Sequence, residues 1–121
     1  MPGRSRRARI GTALFWIVGG SMHFVIPRQY EAIVPPRLER WRKKVVVASG
    51  VAEIAGGLGV LPDGTRRLAR WWLLATLAAV YPANIHMAVN SDRFPRIHPA
   101  LLWARLPLQF VFARMTWRGT R

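Results

Sequence analysis

Residues 45–61, VVVASGVAEIAGGLGVL, form a long apolar run that contains a single charged residue, Glu53. A comparable run precedes it at residues 10–26, and two more follow at residues 71–89 and 99–117. A membrane-spanning helix needs roughly 20 mostly apolar residues, with ~17 as the lower limit. The four runs therefore predict four membrane spans.

The segments between these runs are short or polar and contain proline and glycine. The clearest case is the stretch at residues 61–65, LPDGT, which we expect to be a tight connector. A chain of 121 residues has room for one domain. We therefore predict that residues 1–121 form a single membrane domain, an all-α antiparallel four-helix bundle.

The chain is strongly basic, with a formal net charge of +14. Most bases flank the apolar runs, as is typical of membrane spans beside lipid head groups, and we expect a lipid bilayer and no nucleic acid as partner. The abundance of arginine over lysine, with much alanine and glycine, indicates a GC-rich bacterial genome. The absence of cysteine excludes disulfides and iron–sulfur ligation by this chain.

The distribution of bases also predicts a location and an orientation. The side that would hold both termini carries one more basic residue than the opposite side, so the positive-inside rule places both termini in the cytoplasm. We expect a multi-pass protein of the bacterial plasma membrane.

Each apolar run contains polar residues that are costly at membrane depth, and this marks a candidate site. A rise of 1.5 Å per residue places all of them in the same half of the bilayer. We predict a shared intramembrane pocket in which Glu53 pairs with Arg105 or His86. The alternatives are a structural hydrogen bond for His23 and an outward-pointing Arg105. The pocket residues are His23, Glu53, Asn84, His86, Arg105 and Gln109.

Glycines at helical spacing beside these polar residues predict close helix–helix contacts, since small residues let membrane helices approach. We assign this packing role to Gly19, Gly50 and Gly57. In the segment that follows the first run, Tyr30, Ile33 and Val34 have the spacing of a short interfacial helix ended by proline. An ordered loop is the alternative.

Several motifs in order resemble the DoxX-like family of small bacterial membrane proteins, over roughly residues 10–117. The resemblance implies a four-helix membrane bundle, and some members of that family are linked to membrane oxidoreductase complexes. Thiol exchange cannot be carried over, because this chain has no cysteine. The motifs are His23-Phe24 with Pro27 and Tyr30, residues 33–36 (IVPP), Ser49-Gly50 with Glu53-Ile54 and Gly56-Gly57, residues 81–87 (YPANIHM) and residues 105–109 (RLPLQ).

Two functions fit these features. The first is an accessory subunit of a membrane oxidoreductase or quinone-linked complex, whose pocket receives a quinone head group or a helix of a partner subunit. The alternative is a small proton-coupled transporter or permeability factor in which Glu53 and a histidine relay protons. We expect no independent catalytic activity, no catalytic residue and no metal site. Haem ligation by His23 and His86 is the less favoured cofactor hypothesis.

Overall fold

A computed structural model of the chain describes residues 2–32, 34, 36–93 and 98–121. These residues are helical almost throughout and contain no strand, so the all-α prediction is confirmed. The five α-helices are α1 (Pro2–Val25), α2 (Pro27–Ala32), α3 (Arg42–Val60), α4 (Asp63–Val89) and α5 (Pro99–Gly119), with 3₁₀ turns at Pro36–Trp41 and Ser91–Arg93.

The helices extend beyond the apolar runs that predicted them. The fourth helix begins at Asp63, within the segment predicted as a connector, so that only Leu61 and Pro62 separate α3 from α4. Asp63 suits the first turn of a helix because its carboxylate faces the positive end of the helix dipole. Apolar composition thus located each long helix and one of its ends to within one residue, but not the other end.

The segment after α1 turns at once into the short helix α2. Tyr30 lies on α2, as the interfacial-helix prediction requires, but the helix ends at Ala32, and Val34 lies beyond it. Ile33 and Pro35, which belong to the same prediction, lie outside the described residues.

The four long helices form a ring in which α1 packs against α3 and α5, and α4 packs against the same two helices. Neighbours run antiparallel. On α1 and α5, for example, the Thr12 hydroxyl donates to the Met115 carbonyl, while Phe15, further along α1, packs on Phe112, which is earlier in α5. By length and composition, one helix in the described part of the chain, α4, is a candidate membrane span.

The end of the bundle that holds the termini is closely packed. A core of Trp16, Val60, Leu73 and their neighbours fills it. Arg66 is buried and donates from Nε to the Val60 carbonyl at 2.8 Å and from Nη2 to the Leu61 carbonyl at 2.7 Å. These carbonyls at the end of α3 have no partner within the helix, so the guanidinium supplies one.

Arg70 caps α5 in the same way, donating to the Thr120 carbonyl at 2.8 Å and to its hydroxyl at 3.0 Å. Its guanidinium also lies over the Trp117 ring, 4.3 Å from the centroid. Arg66 and Arg70, which the sequence analysis counted among the bases that flank the apolar runs, therefore hold helix ends in place.

Glycines set the distance between α1 and α3. A Cβ at Gly20 would lie 2.7 Å from the Gly50 carbonyl oxygen, and one at Gly57 would lie 3.0 Å from the Ala13 carbonyl oxygen. The packing role predicted for Gly19 is wrong, because a Cβ there would meet nothing within 4 Å. Neighbouring residues point about 100° apart around a helix, and it is Gly20 that faces α3.

This geometry predicts opposite effects for two glycine substitutions in α1. Gly20→Ala should lower the free energy of unfolding by ~1–3 kcal/mol, because the added methyl meets backbone that has no room to move. Gly11→Ala, where an added Cβ has open space, should leave it unchanged or raise it by up to ~1 kcal/mol through helix propensity. Denaturant unfolding in detergent micelles checks both, and equal stability of the two variants would contradict the close contact.

Candidate functional site

The half of the bundle remote from the termini contains a cavity of about 380 Å³. All four long helices contribute to its wall, and Tyr30, Val34 and Leu38 contribute from the segment between α1 and α3. Most of the lining is apolar, including Phe15, Trp16 and Phe112. Ligand pockets in proteins typically enclose ~300–1,000 Å³ and combine apolar walls with a few polar groups.

Most of the polar residues that the sequence singled out line this cavity. The lining includes His23 from α1, Glu53 from α3, Asn84 from α4, and Arg105 and Gln109 from α5.

His86 is not among the lining residues. Its Nδ1 atom lies 3.1 Å from the side-chain amide of Asn90, one turn further along the same helix. The predicted pairing of Glu53 with His86 is therefore wrong, and His23 and His86 do not face one cavity as bis-histidine haem ligation would require.

Glu53 makes its closest charged contact with His23, whose Nε2 atom lies 3.1 Å from the carboxylate oxygen Oε2. Both side chains are largely buried, at 9% and 14% exposure. The prediction that Arg105 pairs with Glu53 is also wrong. Arg105 is exposed, and its Nη1 atom points to the Met87 sulfur at 3.7 Å.

The helix arrangement explains this choice of partner. His23 lies one turn beyond Gly19 and Gly20, and Glu53 lies one turn beyond Gly50, so the contact between α1 and α3 brings the two side chains together. Arg105 is on α5, which packs against α1 and α4 on the other side of the ring.

The hydrogen bonding of His23 favours particular protonation states of His23 and Glu53. The Nδ1 atom lies 2.9 Å from the Gly19 carbonyl oxygen, which can only accept, so Nδ1 carries a hydrogen. The approach of Nε2 to Oε2 is then favourable when the two groups carry one further proton between them. They are either imidazolium and carboxylate or neutral imidazole and carboxylic acid.

Tyr30 covers His23 and was not among the predicted pocket residues. The two rings stack with centroids 3.9 Å apart and an angle of 20° between their planes. Burial raises the pKa of the Tyr30 phenol, the nearby Glu53 carboxylate raises it further, and Arg105 acts in the opposite direction. The available sequence signal was the position of Tyr30 three residues after the proline that begins α2.

Three buried polar atoms of the lining have no hydrogen-bond partner within residues 2–32, 34, 36–93 and 98–121. They are Ser49 Oγ, Glu53 Oε2 and Gln109 Oε1. The His23 contact does not satisfy Oε2, because it is close enough but not aligned as a hydrogen bond. Buried polar atoms are nearly always paired with protein, water or ligand. Ser49 was not among the pocket residues predicted from the sequence, although it lies one turn before Glu53 on the same helix face.

A family model described as a domain of unknown function, DUF8561, matches residues 12–120. The chain belongs to the DUF8561 family. The match covers α1 from residue 12 onward and the whole of α3, α4 and α5, and it includes every residue that lines the cavity. No curated protein and no solved structure gives a significant match.

Metal binding by this DUF8561 chain has no evident basis in the part of the chain that the structure describes. No group of three or more histidine, aspartate or glutamate side chains lies close enough together there to hold an ion. The residues that line the cavity offer hydrogen bonding, proton exchange and contact with aromatic and aliphatic walls.

A double-mutant cycle tests the partner of Glu53. We predict that His23→Phe, which keeps an aromatic ring beside Tyr30, and Glu53→Leu each destabilise the protein and show a coupling energy of ~1–3 kcal/mol. The cycle that joins Glu53→Leu with Arg105→Leu should show less than ~0.5 kcal/mol. Unfolding in detergent micelles measures both cycles. Coupling to Arg105 in place of His23 would contradict the structure.

Proposed function

We propose that this chain is an integral membrane protein whose cavity binds the polar ring of a lipid-soluble ligand, with a quinone as the leading candidate. It acts as an accessory subunit of a membrane oxidoreductase or other quinone-linked complex, without catalytic activity of its own. Its four long helices cross the bacterial plasma membrane, and both termini lie in the cytoplasm.

The outer surface of the bundle supports the membrane assignment. Large apolar side chains are exposed along all four long helices, for example Val18 at 57%, Val51 at 53%, Leu68 at 69% and Phe110 at 70%. Soluble proteins rarely expose contiguous apolar surface on this scale. Polar side chains such as Thr12, His23, Asn84 and Thr116 are buried inside. Lipid favours this arrangement, because it offers no hydrogen bonds to a polar group on the outside.

The unpaired atoms of Ser49, Glu53 and Gln109 carry the ligand proposal. They lie on α3 and α5, and they share the cavity with Phe15, Trp16 and Phe112. A ring with oxygen substituents matches both parts of the lining, since its faces fit aromatic walls while its oxygens reach polar side chains. An apolar tail would extend into the surrounding bilayer.

The accessory role follows the resemblance to DoxX-like proteins, which remains a proposal beside the DUF8561 assignment. In its support, each of the five motifs contributes lining residues: His23 with Tyr30, Val34, Ser49 with Glu53, residues 82–84, and Arg105 with Gln109. A partner subunit would supply the redox centre, for which this chain has no cysteine ligands. Haem is not proposed, because His86 does not line the cavity.

A small proton-coupled transporter is the second candidate, and the His23–Glu53 contact favours it. Two titratable groups that share one proton beside a cavity could pass that proton to a transported molecule. Proteoliposomes containing an internal pH dye distinguish the candidates. Substrate-dependent proton flux that Glu53→Gln abolishes supports transport. If no such flux is seen, the ligand-binding role is favoured.

Membrane insertion is tested by extraction. We predict that the protein stays in the membrane fraction after washing at alkaline pH with carbonate, because four apolar helices resist removal without detergent. A peripheral basic protein expressed in the same cells serves as the control and should be released. Release of this chain together with the control would overturn the membrane assignment.

Ligand binding is tested by filling the cavity. Gly19 lines it, and an added Cβ there would meet nothing within 4 Å, so Gly19→Leu places a side chain in the space where the ligand would lie. We expect purified wild type to carry quinone in its lipid extract and Gly19→Leu to lose at least about 90% of it. Gly11→Leu, on the same helix in equally open space but outside the lining, should retain wild-type content. Equal quinone in both variants would show that it binds elsewhere.

A further inference from the structure

The buried polar atoms of the cavity differ in what they can accept or donate. Glu53 Oε2, when ionised, and Gln109 Oε1 can only accept hydrogen bonds, and both are without a donor in the part of the chain that the structure describes. Ser49 Oγ can donate as well as accept, so it suits either kind of group. The acceptors thus place the stricter demand on a ligand, because only a hydrogen-bond donor can satisfy them.

The charged donor at the cavity, Arg105, places no such demand. Arg105 is exposed, and its guanidinium can keep its hydrogen bonds to water or lipid head groups whether or not a ligand is present. A ligand that accepts no hydrogen bond from Arg105 therefore loses little binding free energy. A ligand that fails to donate to Glu53 and Gln109 leaves two buried acceptors without a hydrogen bond, which is unfavourable.

The protonation state of Glu53 does not reverse this preference. The His23–Glu53 contact is favourable when Glu53 is a carboxylate beside imidazolium or an acid beside neutral imidazole. A hydroxyl on the ligand can donate to the first form and accept from the second. A carbonyl can only accept, so it matches one form and is unfavourable against the other.

We infer that the cavity selects the reduced, dihydroxy form of its ring ligand over the oxidised, dicarbonyl form, with one hydroxyl on Glu53 and another on Gln109. This inference rests on the proposed function. It concerns binding alone and requires no transfer of electrons by this chain. By preferring the reduced form, the protein would hold hydroquinone beside a partner that oxidises it.

The test compares the two redox forms of one probe. Decylubiquinone and its hydroquinone, decylubiquinol, are titrated under nitrogen into the full chain in nanodiscs of quinone-free lipid, with calorimetric detection. We expect wild type to bind the hydroquinone about tenfold more tightly. Gly19→Leu should bind neither form, and Gly11→Leu should behave as wild type.

Two further variants test which side chain is responsible for the preference for hydroquinone over quinone. Gln109→Leu removes a buried acceptor and should reduce the preference to about threefold or less by weakening only the hydroquinone. Ser49→Ala removes a group that suits both forms, so it should weaken both and leave their ratio unchanged. If Gln109→Leu does not fold, Gln109→Met, which is closer in shape, replaces it.

The outcomes separate this inference from the proposal beneath it. Equal affinities for the two forms, abolished by Gly19→Leu, would overturn the redox preference while supporting the binding site. Tighter binding of the quinone would overturn the preference too. No binding of either form by wild type would overturn the proposed function, and the inference with it.

Discussion

The close approach of α1 and α3 is the constraint on which the rest of the structure depends. Gly20 and Gly50 let the two backbones come almost into contact, and this distance allows the short side chain of Glu53 to reach His23. A wider spacing would leave a carboxylate in an apolar interior without a counterion, where an isolated charge is strongly unfavourable. The His23–Glu53 contact therefore depends on the glycines, although the two are separate features in the sequence.

The bundle has two unlike halves along its length. Towards the termini, aromatic and branched side chains fill the centre, and Arg66 and Arg70 satisfy carbonyls at the ends of two helices. Towards the opposite end the helices enclose open volume, covered in part by Tyr30. Buried polar residues are tolerated where they pair with one another or line a cavity, and this half provides both conditions.

The sequence predicted the helices and the level of the site better than it predicted the contacts within it. Rise per residue gives depth along a helix, and depth correctly grouped most of the polar residues. Depth does not give direction around the helix. His86 follows Asn84 by two residues, roughly 200° around the axis, so it points away from the cavity that Asn84 faces. The partner of Glu53 depended on which helices are adjacent in the ring, which a single sequence does not encode locally. Ser49 was recoverable from its spacing to Glu53, whereas Tyr30 required knowing how α2 folds back.

The arginine caps have a consequence for motion. Fraying of a helix begins where terminal carbonyls lack partners and where few neighbours hold the chain. At the ends of α3 and α5, guanidinium groups tie those carbonyls to α4, so these ends are fastened across the bundle. We therefore expect breathing of the helices to be concentrated at the opposite end, where the cavity removes side-chain contacts. In the membrane setting that we propose, a lipophilic molecule that enters from the bilayer would meet the helices at the end where they part most readily.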